Sequence, residues 1–324
     1  MQTQLRQAVV VAFGRTPYCK ARKGSFAQLH PVEYGAQTLL GVLARVPQLR
    51  PEDIGDVIMG CAMPFGVQGG NMARLIVQRA GLPDCVTAQT VNRYCSSGLQ
   101  TIATAANAIR CGEEDVVIAG GVESMSLVPM LVGAEDADPW LAEHRPEVYT
   151  TMGITAENVA RQWGISRADM DAMAVESHRR AAQAQAGQHA VDVVAQLGQH
   201  HGGGCFDGQI IPITVPGPDG GEVVVCRDEG IRPGTTAETL AGLKPCFLEN
   251  GSVTAATSSQ MTDGAGFVVL MSEESRRAGR EAPGPLCLLC HRRRACGGHG
   301  RRPHRGGAQG AQKGRPCPGA DGHH

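Results

Sequence analysis

Short runs of apolar residues alternate with amphipathic segments along the first part of the chain. Residues 8–13, 56–61 and 115–119 are compact and rich in Val and Ile, which is typical of buried strands. Residues 32–46 and 72–80 space their apolar side chains as one face of a helix does. Strands that alternate with helices predict an α/β fold with a parallel sheet covered on both faces.

A further helix is predicted over residues 96–110, after the short extended segment 87–91. Gly112 supplies a stop signal for this helix. Its apolar residues recur at intervals of three and four, so we expect them to form one buried face. These residues are Leu99, Ile102, Ala103, Ala106 and Ile109.

Cys95 lies where the extended segment turns into this helix, and it is our candidate nucleophile. The unpaired N–H groups and the dipole of a helix N-terminus stabilise a thiolate. The same N–H groups can hold the oxygen of a thioester carbonyl during attack. On position alone, a lone Cys is more often a small buried hydrophobic residue.

Residues 125–252 differ from the segments on either side in composition and in the pattern of apolar residues. They hold two predicted helices, at 156–163 and 167–186, then polar Gly- and His-rich loops and a predicted strand at 222–226. The buried-strand pattern returns after them, at 253–256 and 266–271. We therefore predict an α/β domain formed by residues 1–124 and 253–272, with residues 125–252 inserted as a loop domain.

The composition favours a soluble globular protein of the cytoplasm. Of 324 residues, 42% are hydrophobic and 19% are charged, which excludes wholesale disorder. No run of apolar residues approaches the ~18–20 that a membrane helix needs, and the N-terminus is not typical of a signal peptide. The twelve cysteines are scattered rather than arranged as a disulfide framework, which favours a reducing compartment.

Residues 273–324 break this pattern abruptly. They carry 11 Lys and Arg against four Asp and Glu, and they contain no Phe, Trp or Tyr. Cysteines 287, 290 and 296 with histidines 291 and 299 could bind zinc, and the arginines could touch nucleic acid. The spacing fits no standard zinc finger, and GC-rich DNA translated out of frame gives this mixture of residues. We favour a frameshifted, disordered tail with no metal site and no nucleic-acid partner.

Several motifs, in order along the chain, resemble those of the thiolases. The central ones are residues 91–100 (VNRYCSSGLQ), which contain Cys95, and residues 120–126 (GGVESMS). The others are 15–17 (RTP), 152–158 (MGITAEN), 228–232 (DEGIR), 251–255 (GSVTA), 258–259 (SS) and 263–265 (DGA). The resemblance covers residues 7–272, and the degradative 3-ketoacyl-CoA thiolases are most similar.

The resemblance implies a fold of two similar βαβαβαββ halves with a loop domain inserted in the first. It implies an acetyl-CoA C-acyltransferase of fatty acid β-oxidation, in which Cys95 takes the acyl group of a 3-ketoacyl-CoA and passes it to coenzyme A. The reverse reaction is a Claisen condensation. Coenzyme A is then a co-substrate, no other cofactor is expected, and the family forms homodimers or homotetramers.

Matching motifs carry five binding residues onto this chain. Arg232, Thr239, Phe247 and Ser259 are expected to contact coenzyme A, and Met152 to line the acyl end. From the residues alone, we would instead favour a solvated surface charge for Arg232 and a core position for Phe247. Thr151 stands where many thiolases have His, which would alter the polarity of the acyl site.

The second half of the family's pattern is not found. The family needs an Asn-Glu-Ala-Phe segment, a Gly-His-Pro histidine as base and a Cys-x-Gly cysteine as acid, and neither of the first two segments follows Met271. We therefore expect impaired catalysis. The alternatives are an inactive subunit that only binds coenzyme A or pairs with a partner, and a decarboxylating or condensing enzyme of the same superfamily.

Overall fold

A computed structural model describes residues 5–130, 134–187, 205–277 and 287–288. Its main feature is a seven-stranded mixed sheet in the order β4-β3-β5-β8-β1-β9, with β2 paired to β8. The strands are β1 Ala8–Arg15, β2 Cys19–Lys20, β3 Asp56–Gly60, β4 Thr87–Val91, β5 Val116–Glu123, β8 Thr262–Ser272 and β9 Cys287–Leu288. The predicted strands at 8–13, 56–61, 87–91, 115–119 and 266–271 are confirmed within a few residues.

The expectation of a parallel sheet holds for only part of it. Strands β3, β4 and β5 are parallel, whereas β8 is antiparallel to both β5 and β1. The reason lies in the insertion. The chain leaves the sheet at the C-terminal end of β5 and re-enters it beside that same end, so β8 runs back antiparallel to β5 without a crossover.

Helices cover the sheet on both faces. Helices α1 (Pro31–Leu43) and α2 (Met72–Arg79) pack on one face with the larger hydrophobic cluster. Helix α3 (Ser97–Cys111) packs on the other, against a smaller cluster that includes Ile58 and Leu270. From β1 through α1, β3, α2, β4, α3 and β5 to β8, the order is the βαβαβαββ half that the resemblance implies.

The predicted buried face of α3 is wrong in part. The residues of α3 that are buried are Ser97, Thr101, Ala105 and Ile109, while Leu99 is 72% exposed and Ala103 is also exposed. Small side chains let the helix approach the sheet closely: a Cβ added at Gly60 would lie 2.6 Å from the Ser97 Cβ. Which residues of α3 are buried therefore depends on the size of the side chain as well as on its hydrophobicity.

Residues 134–187 and 205–241 contain four α-helices, two short 3-10 helices and a hairpin. The helices are α4 Pro139–His144, α5 Met152–Trp163, α6 Arg167–Gln185 and α7 Ala237–Ala241, and the hairpin pairs β6 Ile213–Pro216 with β7 Glu222–Val225. The predicted strand at 253–256 is wrong: Thr254 makes only an isolated bridge with Pro245. Its backbone is held by side chains instead, since the Thr254 N–H donates to Thr257 Oγ1 at 2.9 Å.

The described part of the chain continues past β8 into a short helix, α8 Glu273–Arg277, and β9 pairs antiparallel with β1 at Val9 and Val10. The other residues of the predicted tail, with its candidate zinc ligands, and the connection at 188–204 lie outside the described residues. None of the described helices is long and apolar enough to cross a membrane.

Candidate active site

Cys95 is exposed on a tight turn between β4 and α3. The preceding residue, Tyr94, has a φ of 48°, in the left-handed region that side chains other than Gly rarely adopt. Ser96 is the N-cap of α3, and the helix begins at Ser97. The sequence prediction that Cys95 lies at a helix start is therefore confirmed, and the thiol faces solvent rather than the core.

Hydrogen bonds hold this turn in its unusual conformation. The Ser97 hydroxyl donates to the Tyr94 carbonyl at 2.6 Å and accepts the Arg93 N–H at 2.8 Å. Asn92 Oδ1 accepts the Tyr94 N–H at 2.8 Å, while the amide nitrogen of Asn92 donates to the Ala62 carbonyl at 3.0 Å. Strained backbone held by surrounding contacts is typical of functional sites, because it fixes the direction of the reactive side chain.

The start of α3 borders an open, apolar hollow of about 280 Å³. Gly98 and Ile102 of the helix line it, together with Gly120 and Gly121 of β5 and Phe267 of β8. These glycines keep side chains away from the floor of the hollow. The hollow reaches Gly98, three residues after Cys95, but Cys95 is not among the residues that line it.

Two other thiols are poor candidates for the nucleophile. Cys61 and Cys19 are buried in the core. Burial and, to a lesser extent, the neighbouring Glu123 carboxylate together raise the pKa of the Cys61 thiol to about 12. Burial likewise raises the pKa of Cys19, with help from Glu229. Both thiols stay protonated at neutral pH and are unreactive as nucleophiles.

The first motif, residues 15–17, is joined to the motif at 228–232 by an ion pair. Arg15 donates to both carboxylate oxygens of Asp228, at 2.8 and 3.0 Å, and both side chains are largely buried. The Tyr18 N–H donates to the same carboxylate at 2.8 Å. Next to it, Glu229 accepts the N–H groups of Lys20 and Ser25. These acids tie the end of β1 to the segment that leads into Arg232.

Two more carboxylates, the buried Asp263 and the half-buried Glu123, join the other motifs in the same way. Asp263 is fully buried and accepts the N–H of Ser126 at 2.9 Å, with the Ser126 hydroxyl on its second oxygen. Glu123 accepts the Ala62 N–H at 2.7 Å and Gln68 Nε2 at 2.8 Å. The motifs at 120–126 and 263–265 therefore form one network at the end of β5.

The predicted acyl-site and coenzyme A residues Met152 and Phe247 come close together. Met152 opens helix α5 and is 62% exposed. A Cβ added at the next residue, Gly153, would lie 2.1 Å from the Phe247 ring, so the ring packs directly against the helix at Gly153. Phe247 is 41% exposed, which makes it a surface residue rather than the core residue that was the alternative.

The other three predicted contacts are exposed, and the structure gives each a different setting. The backbone N–H of Arg232 donates to the His178 ring, and the Arg232 residue is exposed. The Thr239 hydroxyl takes part in the capping box of α7, where it donates to the Thr236 carbonyl at 2.8 Å. Ser259 follows Ser258, whose hydroxyl bonds to the Thr254 carbonyl. The described contacts do not link these residues to Cys95.

Sequence reasoning missed the acids that organise the site. Glu157 accepts the backbone N–H groups of Ser252 and Val253 at 2.8–3.0 Å and thereby anchors the loop after Phe247 to α5. Like Asp228 and Asp263, Glu157 lies inside a motif that was identified by its resemblance to the thiolases, and no chemical role was predicted for the acid itself. The available signal was that each acid lies inside one of the motifs, at 152–158, 228–232 and 263–265.

Comparison with known proteins agrees with the motifs. Residues 8–274 match the family described as the N-terminal domain of thiolase, close to the range 7–272 of the resemblance. A 3-ketoacyl-CoA thiolase of Bacillus subtilis (strain 168) is 45% identical over 287 residues, which are 86% of this chain and 69% of the relative. The peroxisomal 3-ketoacyl-CoA thiolase 2 of Arabidopsis thaliana is 38% identical over 81% of this chain and 54% of its own length.

A solved structure gives the same result for the fold. The crystal structure of the Bacillus anthracis acetyl-CoA acetyltransferase superposes with a TM-score of 0.70 at 35% identity, over 85% of this chain and 68% of that one. This chain thus spans between about half and two thirds of the length of these proteins. On the family match, the relatives and the shared fold together, the chain belongs to the thiolase family.

Proposed function

We propose that this chain carries out acyl transfer to coenzyme A, with Cys95 as the acyl carrier. The observation that supports this most directly is the exposed Cys95 on a strained turn, locked by Asn92 and Ser97, in a chain of the thiolase family. Its relatives are named 3-ketoacyl-CoA thiolases, so 3-ketoacyl-CoA is the proposed substrate and acetyl-CoA C-acyltransferase the proposed activity.

The proposed reaction has two steps. In the first, the Cys95 thiolate adds to the ketone carbonyl of the 3-ketoacyl-CoA, and the bond between carbons 2 and 3 breaks. The electron pair goes to carbon 2, which takes a proton and leaves as acetyl-CoA. In the second, the thiolate of coenzyme A attacks the acyl-Cys95 thioester, forms the shortened acyl-CoA and releases the Cys95 thiolate.

Both steps need groups that move protons. The residues after Met271 lack the Gly-His-Pro histidine that serves as base in the family. We propose that this chain forms the acyl-Cys95 thioester, and its turnover then depends on the groups that move these protons. The second candidate function is an inactive subunit that only binds coenzyme A, favoured by the exposed Arg232 and Phe247 at the surface of the inserted region.

One experiment separates the two candidates. The chain is incubated with acetoacetyl-CoA, and its intact mass and the released acetyl-CoA are measured. We expect one acetyl group bound per chain and about one equivalent of acetyl-CoA, both lost in Cys95→Ser. Cys85→Ser and Cys111→Ser, which change other exposed thiols, should keep the adduct. An unmodified wild-type chain, or an adduct that persists in Cys95→Ser, would refute the proposal.

The wider setting is proposed on the same basis. Acyl-CoA and coenzyme A are the partners, coenzyme A acts as co-substrate with no other cofactor, and the chain assembles as a homodimer or homotetramer. The cytoplasm is the proposed location. The free cysteines of the described residues fit a reducing compartment, although the relative from Arabidopsis thaliana is named as peroxisomal.

A further inference from the structure

The segment that carries Arg232 and Thr239 runs antiparallel along helix α6. Near the C-terminal end of α6, the amide nitrogen of Gln185 donates to the Asp228 carbonyl at 3.4 Å. Further back, His178 Nδ1 accepts the Arg232 N–H at 3.3 Å. Helix α6 is thus the support along which residues 228–243 lie.

The start of α6 provides the last anchor. Arg167 donates to the carbonyl oxygens of Leu240 and Leu243, at 2.8 and 3.2 Å. Asp171, one turn along the helix, accepts from Arg167 Nε at 2.8 Å and fixes the guanidinium. These bonds hold the end of helix α7, which carries Thr239. The anchor at the start of α6 is therefore permanently charged, unlike the one at His178.

We propose that His178 is a positioning residue for coenzyme A binding, because its ring holds the backbone of Arg232 and thereby aims the Arg232 side chain. This rests on the proposed function, in which Arg232 contacts coenzyme A. Nδ1 accepts a hydrogen bond only when the ring is neutral and its proton is on Nε2. Protonation removes the acceptor and releases the segment at this point.

The charges around His178 favour the neutral ring at pH 7. Burial lowers the pKa of His178, and the positive charge of Arg232 on the packed segment lowers it further. On its own helix, Glu176 pairs with both Arg179 and Arg180, so the carboxylate is already engaged. Asp228, at the far end of the segment, is paired with Arg15. The hydrogen bond is therefore intact at neutral pH, and it is lost only as the pH falls through the lowered pKa of His178, which lies below the ordinary value of about 6.5.

Calorimetric titration of the full chain with coenzyme A between pH 5.5 and 8.0 tests the proposal. The wild type should lose affinity on acidification more steeply than His178→Gln, whose amide oxygen accepts at every pH. The phosphates of coenzyme A titrate equally in both proteins and cancel. His178→Ala should bind about two- to fivefold more weakly at pH 7.5, which corresponds to one net hydrogen bond. Arg180→Gln, a change on the solvent side of α6, should follow the wild type.

A second measurement does not depend on coenzyme A. Hydrogen–deuterium exchange of the ligand-free proteins at pH 7.5 should be faster over residues 228–236 in His178→Ala than in the wild type and Arg180→Gln. Equal exchange in all three, or equal pH dependence of binding in the wild type and His178→Gln, would overturn the role of His178. Faster exchange in His178→Ala without coenzyme A binding in any protein would uphold the positioning of the segment and refute the proposed function.

Discussion

The ion pair between Arg15 and Asp228 offers a direct test of how the motifs hold the fold together. Arg15→Met removes the guanidinium and keeps an apolar stem of similar length. The Asp228 carboxylate then retains the N–H of Tyr18 but loses both bonds from Arg15, at 2.8 and 3.0 Å. Only 15% of the Arg15 side chain and 10% of the Asp228 side chain are exposed, so water replaces the lost donors poorly.

The expected loss follows from these contacts. A hydrogen bond to a charged group contributes about 1.5 kcal/mol, so two of them give about 3 kcal/mol. Breaking a buried pair from one side costs about 3–5 kcal/mol, and the two estimates agree at the lower end. We expect Arg15→Met to lower the free energy of unfolding in urea by about 3 kcal/mol.

Arg50 and Asp53 provide the matched control. Arg50 makes the same two-bond contact, at 2.7 and 3.0 Å, but its side chain is 71% exposed. Arg50→Met should have a smaller effect, because the Arg50 guanidinium is solvated; the Asp53 side chain is only 11% exposed, so part of the loss remains. The double variant Arg15→Met with Asp228→Asn should lose less than the sum of the single losses. Equal losses for the two arginines, or strict additivity in the cycle, would refute the reasoning.

Two further predictions concern the loop next to Met152. Gly153→Ala would place a methyl group on top of the Phe247 ring, so we expect lower thermal stability and weaker coenzyme A binding in calorimetry. Gly242→Ala, whose added methyl group has no neighbour within 4 Å, should change neither. Burial raises the pKa of Glu157, but the N–H groups of residues 252–253 outweigh it and hold the pKa below its usual range. Such a carboxylate stabilises the fold above its unfolded pKa of about 4.5, and this contribution is lost as the pH falls further. In urea denaturation between pH 7 and 3, the wild type should therefore lose more stability than Glu157→Gln. Parallel plots of stability against pH for the two proteins would contradict this.

The sequence predicted well those elements whose signal is local. The strand β1 and the helices α5 and α6 follow from continuous runs of 8 to 19 residues, and the structure confirms them. The position of Cys95 at a helix start follows from the same local signals. The left-handed conformation of Tyr94 does not, because it depends on two hydrogen bonds that only the folded turn provides: the Tyr94 N–H donates to Asn92, and the Ser97 hydroxyl donates to the Tyr94 carbonyl.

Non-local features explain the errors. Leu99 fits an apolar helix face, yet it is exposed, and the buried residue on this turn of the helix is Thr101. The Thr101 hydroxyl donates to the Gly120 carbonyl at 3.0 Å, which satisfies the polar group inside the core. The direction of β8 depends on where the inserted region returns the chain, which periodicity does not encode. The structural role of Asp228 depends on Arg15, which is far away in the sequence. Motif resemblance located these residues, but only the contacts show what they do.

The central position of β8 has a consequence for synthesis on the ribosome. Residues 262–272 lie between β5 and β1, so Ala8 has its partner, Ser272, near the opposite end of the described chain. The emerging polypeptide can form α1, α2 and the parallel strands early, but the apolar edges of β1 and β5 must wait until β8 leaves the exit tunnel. Pairing over such a separation in sequence is slow, and unpaired edges attract other chains. We therefore expect nascent chains shorter than about 272 residues to depend on chaperones that shield strand edges.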